Sequence, residues 1–227
     1  MLKIYGVPIS VHTRKVIVTA IEKRLSYQNE PVIPFSPPAG WDELSPTGKI
    51  PVVTDGNLVL RDSSVICAYL ERAHPDHPIF PPETPDFVQA LWLEEYADGT
   101  IFREVVHGLF FQKIIRPNIL KQATDAVAIA TILNDALPKV FGYLERTISG
   151  ESLVADRFGI ADIATVSNLI NFHYLGYQID ARRFPRLATY FAARLRHPSI
   201  ETALRAERPV ATNMGLDQSF MRELTTS

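Results

Sequence analysis

Serine, acid and proline residues near the N-terminal end of the chain form three short groups that could bind an anionic ligand. Ser10 directly precedes a helical pattern and lies four residues before Arg14. Asp62 and Ser63 begin a second helical pattern. A helix start offers unpaired N–H groups and the positive end of a dipole, which suit a carboxylate. A hydroxyl there either caps the helix or donates to a ligand, and position alone leaves both open.

The segment that leads to Asp62 has the pattern of a β-hairpin opened by a proline. Residues 52–54 and 58–60 predict two short strands, and the Asp-Gly pair between them favours a tight turn. Proline cannot donate a ladder hydrogen bond, so Pro51 fits the first position of a strand. A cis bond before it would turn backbone groups of Ile50 toward a ligand. The alternative is a plain hairpin followed by a capped surface helix.

The order of strand and helix patterns divides the chain into two parts. The first reads β-α-β-loop-β-β-α, with strands at residues 2–5 and 27–33 around a first helix. A proline-rich stretch follows, in which donors are missing and helix is disfavoured. We therefore predict an α/β domain over residues 1–76, a linker over 77–85 and an all-helical domain over 86–227. Helical segments are predicted at 86–116, 125–148, 159–175, 184–196 and 198–205.

Hydrophobic periodicity indicates which helices are buried. Residues 159–175 are apolar nearly all round, which predicts a central buried helix. Residues 125–148 have the most regular apolar spacing, and Pro138 inside them predicts a bend. The stretch from Glu207 onward is polar without a period, and it reads as a tail. Along 86–116 the inward-facing side chains are predicted to be Leu91, Phe102, Val105, Leu109 and Phe110.

Composition indicates a folded protein of ordinary chemistry. The 227 residues are 46% hydrophobic and 21% charged, which favours a packed core over disorder. The net charge of −2, without a Lys/Arg block, argues against nucleic acid as the main partner. The most apolar runs are judged too short to span a bilayer, and the N-terminus lacks a signal-peptide layout. We therefore expect a cytoplasmic protein with no membrane partner.

Cysteine and histidine give no sign of a disulfide or a metal site. Cys67, the single cysteine, has no internal partner and falls inside the helical pattern after Asp62. A buried, inert thiol is therefore expected there. His74 and His77 lie in the proline-rich stretch without further ligands, so a structural role is expected for both.

Three motifs, in this order and at these separations, resemble those of the cytosolic glutathione transferases. Residues 5–16 resemble the N-terminal segment of the serine-type classes, phi and theta. In those classes the catalytic serine lies four residues before a structural arginine, as Ser10 and Arg14 do. Residues 45–51 resemble the family segment that ends in a cis-proline. The acid–serine pair after the hairpin resembles the pair that holds a γ-glutamyl group.

The resemblance, which covers roughly residues 1–205, implies a fold, a co-substrate and a binding set. The fold would be a thioredoxin-like α/β domain followed by an all-α helical bundle, in a homodimer. Glutathione would be the co-substrate, and no metal would be needed. Gly159 departs from the usual Ser/Thr cap of the central helix, which should weaken the start of that helix. The implied glutathione-binding residues are Lys49, where Gln is common in the family, Ile50, Pro51, Asp62 and Ser63.

Ser10 is the catalytic residue that the resemblance implies. A free thiol has a pKa of about 8.5 and is a weak nucleophile while protonated. A hydrogen bond from a hydroxyl to the thiolate is worth about 1.5–3 kcal/mol, or roughly one to two pKa units. Tyr5 is the main rival, because other classes use a tyrosine near the end of this strand. Its position inside the predicted strand favours Ser10.

The second substrate, a small and largely hydrophobic electrophile, is expected to bind between the two domains. Plain core packing is the alternative for each aromatic side chain of that pocket, above all for Phe110. Three functions remain open: transfer of glutathione to an electrophile, glutathione-dependent isomerisation or disulfide or peroxide reduction, and a non-enzymatic interaction module. The predicted pocket residues are Ile9, His12, Phe35, Trp41, His107 and Phe111.

Overall fold

The computed structural model describes residues 1–224, and its N-terminal part is a four-stranded sheet with helices. Its elements are β1 (Leu2–Tyr5), α1 (Val11–Glu22), β2 (Tyr27–Glu30), α2 (Trp41–Leu44), β3 (Val52–Asp55), β4 (Leu58–Arg61) and α3 (Ser63–Ala73). The strand order is β2-β1-β3-β4, and only the β1–β2 pair is parallel within the described chain. This confirms the predicted β-α-β-loop-β-β-α order. Strand β2 stops before Pro31, short of its predicted end, because proline cannot continue the ladder.

The C-terminal part is helical, as predicted, and several of its turns are wider than those of an α-helix. Helix α4 runs without a break into π-helical turns, where the backbone bonds reach one residue further than in an α-helix. The elements are α4 (Thr84–Tyr96), π-helical turns at Ala97–Ile101 and Arg103–Ile115, α5 (Arg116–Asn118), α6 (Ala126–Thr131), π-helical turns at Ile132–Ala136, α7 (Leu137–Thr147), α8 (Ile160–Tyr174), α9 (Pro185–Leu195), α10 (Pro198–Asn213) and a 3₁₀ helix (Ser219–Leu224). The thioredoxin-like fold and the helical bundle are thereby confirmed, while the linker limits stay a prediction.

Two expectations about the helical part are wrong. Helix α10 continues to Asn213, and Glu207, which reads as the start of a polar tail, is only 1% exposed inside it. Its buried charge has an oppositely charged partner, Arg14, which is distant in sequence. Leu91 is 37% exposed and does not face inward, because α4 buries Ala90 and Leu93 instead.

The stretch around Pro138 combines π-helical turns with an α-helix. The residue lies in the first turn of α7, directly after the π-helical turns, where the sequence predicts a bend.

Ala126–Thr147, which spans 22 residues with a mean hydropathy of 1.2, is long and apolar enough to cross a bilayer. The prediction that every apolar run is too short is therefore wrong in length and composition. Side chains of α7 in this stretch pack into the core, namely Leu137, Val140, Phe141 and Leu144.

Helix α8 is the centre of the helical part, since all 15 of its residues are buried. Its first turn is held by Asp162, whose carboxylate accepts the N–H of Gly159 at 3.1 Å and that of Leu153 at 3.0 Å. The hydroxyl of Tyr190 adds a third bond at 2.7 Å. A side chain at the cap has no room, because a Cβ on Gly159 would lie 2.5 Å from the carbonyl oxygen of Ile79. The glycine thus reflects a close approach of two backbones.

We expect Gly159→Ala to lower the free energy of unfolding by about 1–3 kcal/mol, because the added methyl overpacks this contact. Urea denaturation measures the change. Gly99→Ala is the matched control, since no atom lies within 4 Å of its added Cβ. The control should be neutral or stabilising by up to about 1 kcal/mol. Equal stability of Gly159→Ala and the wild type would contradict the role given to the Ile79 carbonyl.

His173 in α8 makes the stability depend on pH. It is buried against Phe191, with ring centroids 4.4 Å apart, and burial lowers its pKa from 6.5 to about 4. Between these values the unfolded chain binds a proton that the folded chain excludes, so stability falls as the pH falls. We expect this group to cost about 3 kcal/mol between pH 7 and pH 4. Denaturation of His173→Phe should show a shallower pH dependence, and an unchanged slope would contradict the assignment.

Candidate functional site

The sheet register brings three predicted motifs to one end of the molecule. Val52 pairs with Tyr5 on one side and with Arg61 on the other. The loop after β1, the residue before β3 and the start of α3 therefore meet at that end of the sheet. Three predicted site residues each lie a few residues from this shared register position, namely Ser10, Pro51 and Ser63. Motifs that are far apart in sequence therefore meet at this end of the sheet.

Ser10 precedes α1 as its N-cap residue, but its side chain does not cap the helix. Its backbone N–H donates to the carbonyl of Val7 at 3.0 Å, which fixes the backbone of the loop. Within residues 1–224 its hydroxyl has no hydrogen-bond partner, and the side chain is half-buried. An unengaged hydroxyl at the positive end of a helix can donate to an anion. The capping alternative for Ser10 is not realised in the side-chain geometry.

Arg14, one turn after Ser10, fixes the loop before it. The buried guanidinium binds Glu207 through two hydrogen bonds, of 2.6 and 2.7 Å, and donates to the carbonyl of Ile9 at 3.3 Å. The side-chain amide of Asn171 donates to the same carbonyl at 3.3 Å. Burial alone would lower the pKa of Arg14, but Glu207 outweighs it and raises that pKa. A buried ion pair therefore positions the residue next to Ser10.

The Ile50-Pro51 peptide bond is cis, as the resemblance implies. The segment before it is supported from behind: the hydroxyl of Ser45 donates to the carbonyl of Lys49 at 2.7 Å. Trp41 is predicted as a pocket residue, yet its indole N–H donates to the carbonyl of Gly48 at 3.4 Å. The tryptophan is therefore a support of this loop. The side chain of Lys49 is exposed.

Close packing of Gly6 joins the proline loop to the first helix. A Cβ at Gly6 would lie 3.3 Å from the Cβ of Ile50 and 2.4 Å from the hydroxyl oxygen of Thr13 in α1. Only a residue without a side chain lets these two groups approach.

Tyr5, the rival to Ser10, packs with Trp41, at a distance of 6.3 Å between ring centroids. The tyrosine belongs to a small cluster separate from the main core.

At the start of α3, the side chains of Asp62 and Ser63 have different hydrogen-bond partners. Asp62 has a φ of +71°, and its carboxylate caps the helix by accepting from Ser64 N at 2.9 Å and Val65 N at 3.3 Å. This cap does not use the N–H of Ser63. The hydroxyl of Ser63 lies 3.3 Å from Nδ1 of His12. One oxygen atom of the exposed carboxylate makes both cap bonds.

A buried lysine connects this end of the sheet with the helical part. The ammonium of Lys15 binds Glu94 at 2.8 Å, Asp98 at 2.5 Å and the hydroxyl of Ser64 at 2.9 Å. Burial alone would lower its pKa, but Asp98 and Glu94 raise it above the ordinary value. Lys15 is therefore charged and holds both acids in place. The cluster could not be predicted from the sequence, because its members lie on separate elements.

The aromatic contacts bring together two of the predicted pocket residues. His12 and His107 both contact Phe102, with ring centroids 4.5 Å from it in both cases. Phe102, predicted to face inward, is half-buried and joins them. The remaining predicted pocket residues make no ring contact with these three in the part of the chain that the structure describes. They are Ile9 (buried), Phe35 (57% exposed), Trp41 (in the small cluster) and Phe111 (half-buried against the main core).

Other groups that could do chemistry are engaged or inert. Cys67 is fully buried beside the Thr19 hydroxyl, and burial raises the pKa of its thiol to about 12, which confirms an inert thiol. Lys113 donates to the carbonyl of Leu175 at 2.8 Å. Across residues 1–224 no cluster of three or more His, Cys, Asp or Glu side chains could hold a metal ion.

Comparison with known proteins is consistent with this arrangement. The model of the glutathione S-transferase N-terminal domain matches residues 4–78, and that of the C-terminal domain matches residues 96–207. A glutathione S-transferase from Triticum aestivum is 23% identical over 211 residues, which are 92% of this chain and 95% of the relative. FtsZ-localized protein A from Caulobacter vibrioides is 24% identical over 174 residues, covering 74% and 76% of the two chains.

Solved structures agree on the fold. A glutathione S-transferase from Rhodospirillum rubrum F11 superposes with a TM-score of 0.82 at 24% identity. The match covers 90% of this chain and 92% of that one. At this identity the likeness shows the fold alone, so the roles of individual residues must be argued from their geometry.

Proposed function

Because the chain belongs to the cytosolic glutathione S-transferase family, an enzyme family that uses glutathione, we propose that Ser10 activates the glutathione thiol for attack on a small electrophile. The observation that carries this proposal is the Ser10 hydroxyl, which is unengaged at the start of α1. A ligand sulfur there would receive a hydrogen bond and the favourable end of the helix dipole. Proximity of thiolate and electrophile would supply the rest of the rate enhancement.

The glutathione tripeptide would extend along the shared end of the sheet. The backbone of Ile50 before Pro51 would hold the cysteinyl part, and Lys49 would pair with the glycine carboxylate. Asp62 and Ser63 would hold the γ-glutamyl part. The support is the sheet register, which places both segments near the Ser10 loop. The N–H groups at the start of α3 suit a carboxylate.

The electrophile would bind beside the Phe102 ring, between the two parts of the chain. His12 and His107 contact that ring, so the proposed pocket is aromatic with polar edges. Such a surface favours a small, largely hydrophobic substrate. Conjugation of this kind would detoxify the electrophile.

We also propose a cytoplasmic homodimer. Apolar side chains are exposed on α3 and on α4, the next helix along the chain, and a second copy would cover them: Val65, Phe87, Val88, Leu91 and Trp92. Exposed apolar patches of this kind mark interaction surfaces. Sedimentation of the purified protein tests the proposal, and a monomer of 25.5 kDa would refute it.

A non-enzymatic interaction module is the second candidate function. The observation that favours it is the similarity to FtsZ-localized protein A, whose name describes a localisation and not a reaction. Against it stands the thiol-activating arrangement around Ser10, which a scaffold does not need. Isomerisation of unsaturated acids and reduction of disulfides or peroxides would use the same thiolate.

Binding to immobilised glutathione separates the enzymatic and non-enzymatic candidates. We expect retention of the protein and elution by free glutathione. The absence of measurable affinity at millimolar glutathione would overturn every glutathione-dependent candidate. A panel of aryl halides, maleyl acids, hydroperoxides and mixed disulfides then distinguishes conjugation from isomerisation and reduction. Turnover of maleyl acids, hydroperoxides or disulfides without any conjugation would overturn the transferase assignment.

A further inference from the structure

The imidazole of His12 lies at the meeting point of α1, α3 and the π-helical turns after α4. Its Nδ1 atom is 3.3 Å from the hydroxyl oxygen of Ser63 and 3.6 Å from a carboxylate oxygen of Asp98. The ring also packs on Phe102, with ring centroids 4.5 Å apart. One nitrogen atom therefore faces a hydroxyl and a carboxylate at the same time, and the ring has little freedom to turn away.

The proton on Nδ1 decides what the Ser63 hydroxyl can do. A neutral imidazole donates from one nitrogen and accepts at the other. If Nδ1 accepted, the proton of the Ser63 hydroxyl would point at His12 and would be lost to a ligand. If Nδ1 donates, the hydroxyl oxygen accepts, and its own proton is free to point outward. The nearby carboxylate of Asp98 favours the proton on Nδ1, because a negative group beside one ring nitrogen stabilises the tautomer that carries the proton there.

Asp98 is held in place by two further contacts. Its other carboxylate oxygen binds the ammonium of Lys15 at 2.5 Å and the hydroxyl of Ser64 at 3.3 Å. The remaining charged side chains that act on His12 are Asp62 and Lys49, which are of opposite sign. The order of contacts is therefore Lys15 to Asp98, Asp98 to His12, and His12 to Ser63.

We infer that His12 is a positioning residue whose Nδ1–H turns the Ser63 hydroxyl into a donor for an acidic group of the ligand. On the proposed function, this group is the α-carboxylate of the γ-glutamyl unit. His12 does not need to touch the reacting sulfur atom. Its loss should therefore weaken the binding of glutathione.

The experiment compares two ligands in three variants. S-methylglutathione probes the binding of the γ-glutamyl part without thiol ionisation, and its analogue without the α-carboxylate removes the group in question. We expect His12→Ala to weaken S-methylglutathione roughly tenfold, the value of one hydrogen bond to a charged group. His12→Asn, which keeps a donor near the Nδ1 position, should recover most of the affinity. His12→Gln, which places its amide further out, should not.

The controls separate positioning from damage to the fold. The analogue without the carboxylate should bind to the wild type and to His12→Ala equally well. Ser63→Ala in the His12→Ala background should cost little more, because the pair acts as one unit. His77→Asn, a change of an exposed histidine in the linker, should leave affinity unchanged. Steady-state kinetics should show a raised KM for glutathione.

Two results would overturn the inference. One is wild-type affinity of His12→Ala for S-methylglutathione, and the other is an equal loss for both ligands. If His12→Ala fails to fold, the contrast between His12→Asn and His12→Gln decides, and equal affinities of those two variants would also overturn it. A wild-type protein that binds no glutathione would instead overturn the proposed function, so the two failures are distinguishable.

Discussion

Replacement of Ser10 by alanine should lower kcat/KM for conjugation roughly 10- to 150-fold. The estimate follows from a hydrogen bond to a thiolate worth about 1.5–3 kcal/mol, at about 1.36 kcal/mol per tenfold change. The same loss should raise the pKa of bound glutathione by roughly one to two units. The fold should be unaffected, because the Ser10 hydroxyl has no partner within the described chain.

Thiolate absorbance of the glutathione complex, measured against pH, checks this expectation directly. Ser36→Ala, in an exposed loop, serves as the control for a lost hydroxyl. Tyr5→Phe tests the rival donor and should retain activity, since that ring packs in the cluster with Trp41. Full activity of Ser10→Ala together with loss of activity in Tyr5→Phe would assign the thiol contact to the tyrosine.

Replacement of Arg14 by methionine should lower the free energy of unfolding by about 3–5 kcal/mol. The change leaves Glu207 buried with no opposite charge, and an uncompensated buried charge carries a penalty of this size. It also removes one of two donors to the carbonyl of Ile9, directly before Ser10. Activity should therefore fall even at temperatures where the variant is folded.

Chemical denaturation of matched variants tests the pair. Arg205→Met removes an exposed arginine from the same helix as Glu207 and should cost less than about 1 kcal/mol. Glu207→Leu should destabilise strongly on its own. The double variant Arg14→Met, Glu207→Leu should be less destabilised than the sum of the single changes, because both partners are then apolar. Additive losses would show that the two side chains act independently.

Local signals explain why much of the fold could be predicted from the sequence. Several of these signals act on the backbone within a few residues of themselves. They are the proline and the Asp-Gly pair around β3, and the acid before α3. The stretch of α8, which is apolar nearly all round, likewise predicts its own burial. Ser10 could be singled out because Arg14 lies within one turn of the same helix. Each of these cues is complete inside a short window of sequence.

The missed features depend on partners that are distant in sequence or on unusual helix geometry. Glu207 reads as polar tail because its partner, Arg14, lies 193 residues away. Phe102 and His107 are five residues apart and would diverge on an α-helix. The π-helical turns, which bond five residues on, bring their rings into contact. Apolar periodicity of 3.6 residues carries no information about such turns.

The adjacent cations Arg14 and Lys15 have a consequence for how this protein can be divided or recombined. Both are on α1, yet the acids that neutralise them come from the helical half, namely Glu207 for one and Glu94 and Asp98 for the other. Each half thus carries buried charge that only the other half can compensate. The halves are not interchangeable modules, and a chimera with a related protein needs all five side chains to come from one parent.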